Sequence, residues 1–235
     1  MQERNGIWRV DLHTHTCFSD GTTDIAQHLR AAHRAGLQRV AVTDHNTLQG
    51  ALEAVRLEGE FVIPGEEIET TEGELLGYFV REKVPSGLQP EEAIARLRDQ
   101  GAVISVAHPF DRLRAPWRED ALLRILPLVD AIEGFNARCM SAGSNWKAAA
   151  FALAQRKPVT AGSDAHSAFE LGAAGLEMAP FADAESFRAA LADALPFGRA
   201  SSRWVHIISR YGRLRRRLGR RKDLSPGRPG SSEKG

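Results

Sequence analysis

In the stretch VDLHTHTCFSDG, His13 and His15 stand one residue apart at the end of an apolar run, and Asp20 follows five residues later. Residues i and i+2 of a strand point to one face, so the two imidazoles can aim at one point. That is a chelating arrangement. Five of the eight histidines (13, 15, 45, 108 and 166) end apolar runs, and Asp44, Glu67 and Asp164 do the same. Of the remaining three, His28 and His33 lie inside a helical pattern and read as partly exposed helix residues. His206 lies in a C-terminal helical pattern and reads the same way. Imidazole mixed with carboxylate, without a thiolate cluster, suits Zn²⁺, Mn²⁺ or Fe²⁺. About eight donors are too many for one such ion, so two or three divalent ions are expected. Clusters of this kind, with ions roughly 3.5–4 Å apart, serve phosphoryl or acyl hydrolysis.

For those donors to meet, the chain must bring strand ends together. Apolar runs predict strands over 7–15, 39–46, 61–71, 73–80, 102–110, 129–136 and 158–166. Amphipathic runs predict helices over 24–35, 47–59, 90–101, 118–128, 146–157 and 183–195. The first helix is expected to start with Thr22 or Thr23 near its N-cap and to end at Gly36. Pro90 opens the third, the position where its missing N–H costs nothing. Alternating β and α with near-continuous apolar strands argues for a parallel sheet buried on both faces. Seven or so units in this length favour a closed barrel, whose C-terminal strand ends share one rim where sites form.

The totals exclude several alternatives. A chain of 235 residues with 43% hydrophobic content holds one large α/β domain or two small ones. No apolar stretch approaches the roughly 18 residues of a membrane span. The N-terminal residues lack a secretory apolar region, and two cysteines make no disulfide framework, so a reducing, cytoplasmic setting is expected. Cys17 and Cys139 read as small buried residues. GSDAH contains Ser163 but not the G-x-S-x-G elbow of serine hydrolases, and no G-x-x-x-x-G-K-[ST] phosphate loop occurs. No lysine stands at a strand end to be carbamylated, which weighs against metal-dependent amide hydrolysis.

HTH with SDG, then TDHN, PGEE, AHP and GSDAH, in that order over residues 9–200, resemble the PHP family (polymerase and histidinol phosphatase domains), in its small phosphoesterase-like branch. The resemblance implies an α/β fold, a distorted (β/α)₇ barrel, with a trinuclear metal site. It implies that His13, His15, Glu67 and Asp164 bind one ion and that Glu67 bridges to a second ion held also by His108. Asp20, His45 and His166 would hold the third. Of Glu66 and Glu67 the family pattern selects Glu67, and strand alternation lets only one of the pair face the site. One departure stands out: Glu74 occupies a position where many members carry histidine, so it reads either as a replacement ligand or as an exposed polar residue. Asp44 would face away from the site and brace it. Arg138 and Asn136, just past a strand end in GFNARCM, are the expected substrate-binding pair, with Arg112 and Arg114 as further positive charge. Arg138 is the first choice for a phosphate because its planar fork suits that geometry. The expected reaction is hydrolysis of a small phosphorylated metabolite, a nucleotide or a short oligonucleotide by a hydroxide bridging two ions. Its catalytic residues would be His13, His15, Asp20, Glu67, His108, Asp164 and His166.

Charge is uneven along the chain. Of 31 basic and 30 acidic residues, 12 and 2 fall in residues 199–235, leaving 19 and 28 in residues 1–198. The expected organisation is a barrel over 5–200, a basic amphipathic helical extension over 201–222 and a disordered tail over 223–235. In the extension, Trp204, Ile207, Ile208, Tyr211, Leu214 and Leu218 recur at helical spacing with arginines opposite. Such a segment either completes the fold or docks to nucleic acid or an anionic membrane. The second role would make the chain a metal-stabilised binding or regulatory module.

Overall fold

The computed structural model describes residues 6–114 and 116–199; the segments expected at 201–222 and 223–235 lie outside the described residues. Fifteen principal elements follow one another: β1 (Trp8–Asp11), α1 (Ile25–Arg34), β2 (Arg39–Val42), α2 (Gln49–Glu58), β3 (Val62–Glu69), β4 (Glu74–Tyr78), α3 (Pro90–Asp99), β5 (Val103–Val106), α4 (Glu119–Ile125), β6 (Ala131–Asn136), α5 (Ala142–Ala154), β7 (Val159–Gly162), β8 (Ala174–Met178), α6 (Ala184–Ala190) and β9 (Leu195–Gly198).

Helix α1 shows how local sequence sets the elements. Its N-cap is Asp24 rather than Thr22 or Thr23. The Asp24 carboxylate accepts from Gln27 N at 2.7 Å, and the Gln27 side chain accepts from Asp24 N at 3.3 Å, a reciprocal cap that satisfies two end donors. Ile25, His28, Leu29 and Ala32 form the buried face. His28 is therefore a core residue, not the partly exposed one expected. Its ring nitrogens lie 3.0 Å from Thr14 Oγ1 and 3.4 Å from Thr23 Oγ1. His33 is exposed beside Glu58.

The nine strands form one sheet in the order β7-β6-β5-β4-β3-β2-β1-β8-β9. Pairing is parallel through β1-β2-β3 and β5-β6-β7. Strand β4 runs antiparallel to both β3 and β5, which departs from the all-parallel expectation. The link from β3 to β4 is too short for a crossover, so the chain must turn back on itself. Gly73 makes this turn: its φ of +154° suits glycine, and a Cβ there would lie 2.3 Å from the Trp117 ring. The reversal puts the first residue of β4, Glu74, at the end of the sheet where the parallel strands finish.

Closure comes from the extensions of β1 and β7. Asp164 N donates to His13 O at 2.7 Å and His15 N to Ala165 O at 2.8 Å. Gly162 permits this approach, since a Cβ there would meet His13 Cβ at 2.3 Å. The result is a nearly closed, barrel-like sheet, in line with the expected barrel. The β8–β9 hairpin, absent from the sequence reading, continues the sheet outward from β1.

Successive strand residues feed two cores. Val40, Val42, Leu75 and Ile104 pack against the helices with Leu29, Ala54, Leu97 and Leu122. Ala41, Ile63, Leu76, Tyr78, Val103 and Ala161 fill the interior, with Phe181 and Phe187 joining them. Just before β6, Asp130 accepts from Ile104 N (2.8 Å), Arg98 (2.8 Å) and Arg188 (3.0 Å), tying α3 and α6 to β5 where the parallel strands start. Among the described residues no helix is long and apolar enough to cross a membrane.

Candidate metal centre

All nine donor side chains singled out in the sequence meet at the rim where the parallel strands end. The extension of β1 carries His13 and His15, and the following loop carries Asp20. His45 follows β2 and bridges to Glu67 on β3. Glu74 opens β4, His108 follows β5, and Asp164 and His166 follow β7. Three residues here, Asn46, His108 and Asp164, have positive φ (54°, 23° and 54°) without being glycine. The bends at His108 and Asp164 carry donors of the cluster, while Asn46 accepts from Glu69 N; such costly conformations cluster at functional sites.

Ligand atoms lie within 4.8 Å of one another in four sets: His15, Asp20, His45 and His166; His13, His15 and Asp164; His13, Glu67 and His108; His45, Glu67 and Glu74. Glu67 is the hub. Its Oε2 lies 3.2 Å from His13 Nε2, 3.3 Å from His15 Nε2 and 3.0 Å from His45 Nδ1, and its Oε1 lies 3.0 Å from His108 Nε2. Asp164 Oδ1 lies 3.2 Å from His15 Nε2. Glu74 reaches His108 Nε2 at 3.4 Å and His45 Nδ1 at 4.0 Å. Adjacent donors around a divalent ion with bonds near 2.0–2.2 Å stand roughly 3.0–3.5 Å apart, and these contacts match. His13 Nε2, both ring nitrogens of His15, Glu67 Oε2 and Asp164 Oδ1 are buried without a hydrogen-bond partner. Buried polar atoms are ordinarily paired, so this donor set fits ions of the predicted kind.

The electrostatics agree. Burial works against a charged His13, but Glu67, Glu133 and Asp164 outweigh it and hold the ring well above the usual imidazole range. Burial likewise opposes charge on His45, yet Glu67, Asp20 and Glu74 push it up to about 10. His15 goes the other way: burial, with His166 and His45 alongside, drives it down to about 3. Glu67 and Asp164 are held well below the carboxylate range; burial is outweighed by His13 and His45 in one case and by Arg114 and His13 in the other. The pocket thus demands positive charge, and protons and metal ions compete for the same lone pairs.

A layer of buried groups orients these donors. His13 Nδ1 donates to Glu133 Oε1 at 2.8 Å, which turns its bare Nε2 inward. Glu133 Oε2 also accepts from His108 N at 2.8 Å and Asn136 Nδ2 at 3.2 Å. His166 Nδ1 donates to Asp164 O at 2.8 Å, and its Nε2 lies 2.9 Å from Asp20 Oδ1. Asp44 accepts from Thr16 N, Thr16 Oγ1 and Ser19 Oγ, shaping the loop that carries Asp20. Glu66 points to the opposite face of β3, where it accepts from Val84 N at 3.0 Å.

Asn136 differs from its expected role. It is fully buried, donates to Glu133 and to Asp164 Oδ2 (3.1 Å), and accepts from Arg138 N. Both amide N–H groups of Asn136 are taken by the acids it braces. A cavity of about 760 Å³ opens over the cluster, with Arg114, Arg118 and Arg138 in its wall beside His45, Glu74 and Asp164. Arg138 lies there as expected, near Glu170 Oε1, but Arg114 reaches deeper and pairs with Asp164 Oδ2. Arg112 is exposed and outside the wall. Cys139 is buried, whereas Cys17, expected to be buried, is exposed. Glu133 was missed in the sequence; an acid inside the apolar run AIEGF was the available signal.

A family model for the PHP domain matches residues 11–63, and one described as PHP-associated matches residues 142–195. The chain is 38% identical over 144 residues to the uncharacterized protein MJ1587 of Methanocaldococcus jannaschii, an alignment that covers 55% of this chain and 82% of that one. It belongs to the PHP domain family. Among solved structures, a two-domain protein of Bacteroides vulgatus, described as containing a predicted PHP-like metal-dependent phosphoesterase, superposes with a TM-score of 0.68 at 17% identity, covering 85% of this chain and 70% of that one. The lesion-specific endonuclease Q of Pyrococcus furiosus superposes with a TM-score of 0.59 at 17% identity, covering 82% of this chain and 59% of the other.

Proposed function

We propose that the protein is a metal-dependent phosphoesterase acting on a small phosphorylated metabolite, a nucleotide or a short oligonucleotide. The observation that carries this reading is the convergence of nine imidazole and carboxylate side chains beneath a cavity walled by arginines. Divalent ions (Mn²⁺, Zn²⁺ or Fe²⁺) held by His13, His15, Asp20, His45, Glu67, Glu74, His108, Asp164 and His166 would supply a water nucleophilic at neutral pH and neutralise charge on the phosphate oxygens. Two or three ions suit this number of donors. Arg138 and Arg114 add fixed positive charge in the wall where a phosphate must lie. Glu133 and Asn136 hold His13, His108 and Asp164 in their directions, so little reorganisation is left for the reaction step. A cavity of this volume falls in the range of small-ligand sites, about 300–1,000 Å³. The similar endonuclease Q, solved with a 27-mer DNA duplex bearing an abasic lesion, supports including oligonucleotides among the substrates. A reducing, cytoplasmic setting belongs to the same reading, because two cysteines make no disulfide framework.

The test is a panel of phosphomonoesters, nucleoside bisphosphates and short oligonucleotides offered to protein loaded with Mn²⁺ or Zn²⁺. Turnover of at least one class is expected, and it should be abolished in the double variant His13→Ala, His15→Ala. Turnover that survives both substitutions would defeat the proposal.

A further inference from the structure

We propose that Glu74 gives the centre two chemically unlike positions. The position bounded by Glu67, Glu74 and His108 has a higher relative preference for Mn²⁺ over Zn²⁺ than the one formed by His15, Asp20, His45 and His166. This rests on the metal-binding reading above and goes beyond it by assigning selectivity.

The difference originates at β4. Because that strand is antiparallel to its neighbours, its first residue shares the rim with the residues that end the parallel strands. Ala107 N donates to Glu74 O at 3.1 Å, which sets Glu74 against the segment carrying His108. Two carboxylates then embrace the same two imidazoles. Glu67 places one oxygen 3.0 Å from His108 Nε2 and the other 3.0 Å from His45 Nδ1. Glu74 places its own oxygens 3.4 Å and 4.0 Å from the same two atoms. The buried Glu67 Oε2, which has no hydrogen-bond partner, faces His13, His15 and His45, and Oε1 faces His108. The donors around His108 are thus two carboxylates, Glu67 and Glu74, with the His13 imidazole alongside, and Glu74 and His45 border the open cavity, from which water would complete a coordination shell. Across the hub, three imidazoles and one carboxylate form the other set. Carboxylate and water favour harder ions such as Mn²⁺, and imidazole favours Zn²⁺. Zn²⁺ binds most nitrogen and oxygen sites more tightly than Mn²⁺, so the difference emerges when Mn²⁺ is in excess.

The backbone of Glu74 is also anchored. Trp117 packs under Gly73 and its indole N–H donates to Glu74 O at 3.3 Å. The Glu74 carbonyl oxygen thus accepts from both Trp117 and Ala107, which anchors the backbone there.

The full chain, stripped with chelator, is equilibrated with buffered Mn²⁺ in excess over Zn²⁺. Bound metal is read by elemental analysis and by the Mn²⁺ electron paramagnetic resonance signal. The native protein should keep Mn²⁺ alongside Zn²⁺. Glu74→His should lower the bound Mn:Zn ratio on the order of tenfold or more, at unchanged total metal, since even outer partners of a ligand change affinity on that scale. Glu74→Gln, nearly the same shape, should lose Mn²⁺ without gaining Zn²⁺. A Mn:Zn ratio that neither variant changes overturns the inference. Total metal that depends on His13 and His15 would then leave the metal-binding reading standing, while a chain that binds no divalent ion overturns both.

Discussion

Glu133→Gln tests the oriented site most sharply. Two carboxylate oxygens meet three N–H donors: His13 Nδ1 at 2.8 Å on one, His108 N at 2.8 Å and Asn136 Nδ2 at 3.2 Å on the other. A glutamine keeps the shape but offers one acceptor. Its amide N–H₂ must face either His13 or the His108 and Asn136 pair. Each buried donor left without an acceptor costs about 1–3 kcal/mol. If the amide nitrogen faces His13, the ring is freed to flip and its Nε2 is no longer presented. Loss of such a partner typically lowers metal affinity about 10–100-fold, equivalent to about 1.4–2.7 kcal/mol. Affinity is read by competition with a metal-sensitive chelator, and stability by urea denaturation of the metal-free chain. Both should fall. An affinity unchanged within twofold would refute the claim that Glu133 orients the centre, whatever the stability shows.

Three further outcomes are expected. His28 is buried and burial pushes it down to about 4, so the unfolded chain takes up a proton near pH 6.5 that the folded chain refuses; stability is present above pH 6.5 and falls as pH drops toward 4, by about 3 kcal/mol in full. Denaturation of the native chain and of His28→Gln at pH 7 and pH 5 should show a smaller acid loss in the variant, and equal losses would contradict this. Gly162→Ala places a Cβ 2.3 Å from His13 Cβ and 2.7 Å from His13 N, an overlap no rotamer relieves; melting should show a loss of about 1–3 kcal/mol or more, with weakened metal binding, and a variant matching the native chain in both would show the closure to be looser. Asp130→Ala removes the acceptor shared by Arg98, Arg188 and Ile104 N; stability should drop by about 2 kcal/mol while metal content stays unchanged, because this acid lies at the opposite end of the sheet from the centre.

Much of the centre was legible in the sequence because most donors end or follow an apolar run, whereas Asp20 lies in the loop after the first and Glu74 opens one instead. His13 and His15 share a face by strand period alone; the same rule lets only one of Glu66 and Glu67 face the site, and the resemblance to the PHP family selects Glu67. The order of strands and helices was legible for similar reasons of local pattern. What sequence did not show depends on partners remote along the chain. The direction of β4 follows from the tight turn at Gly73, whose fit against Trp117 is visible only in three dimensions. The β8–β9 hairpin is short and lies at the sheet's edge, so it carries little periodic signal. His28 sits at a core position of an ordinary amphipathic helix, and its burial depends on Thr14 and Thr23 arriving beside it. Asn136 stands near the site as expected, yet its amide is consumed by Glu133 and Asp164, which come from a strand interior and a distant loop.

Counting ions per chain tests most directly that the converging donors form a metal-holding site. Elemental analysis of protein reconstituted with Mn²⁺ or Zn²⁺ and freed of loose metal should give two or three ions per chain, falling sharply in the folded His13→Ala, His15→Ala variant. No bound ion in the native chain, or the same number in the variant, would contradict it.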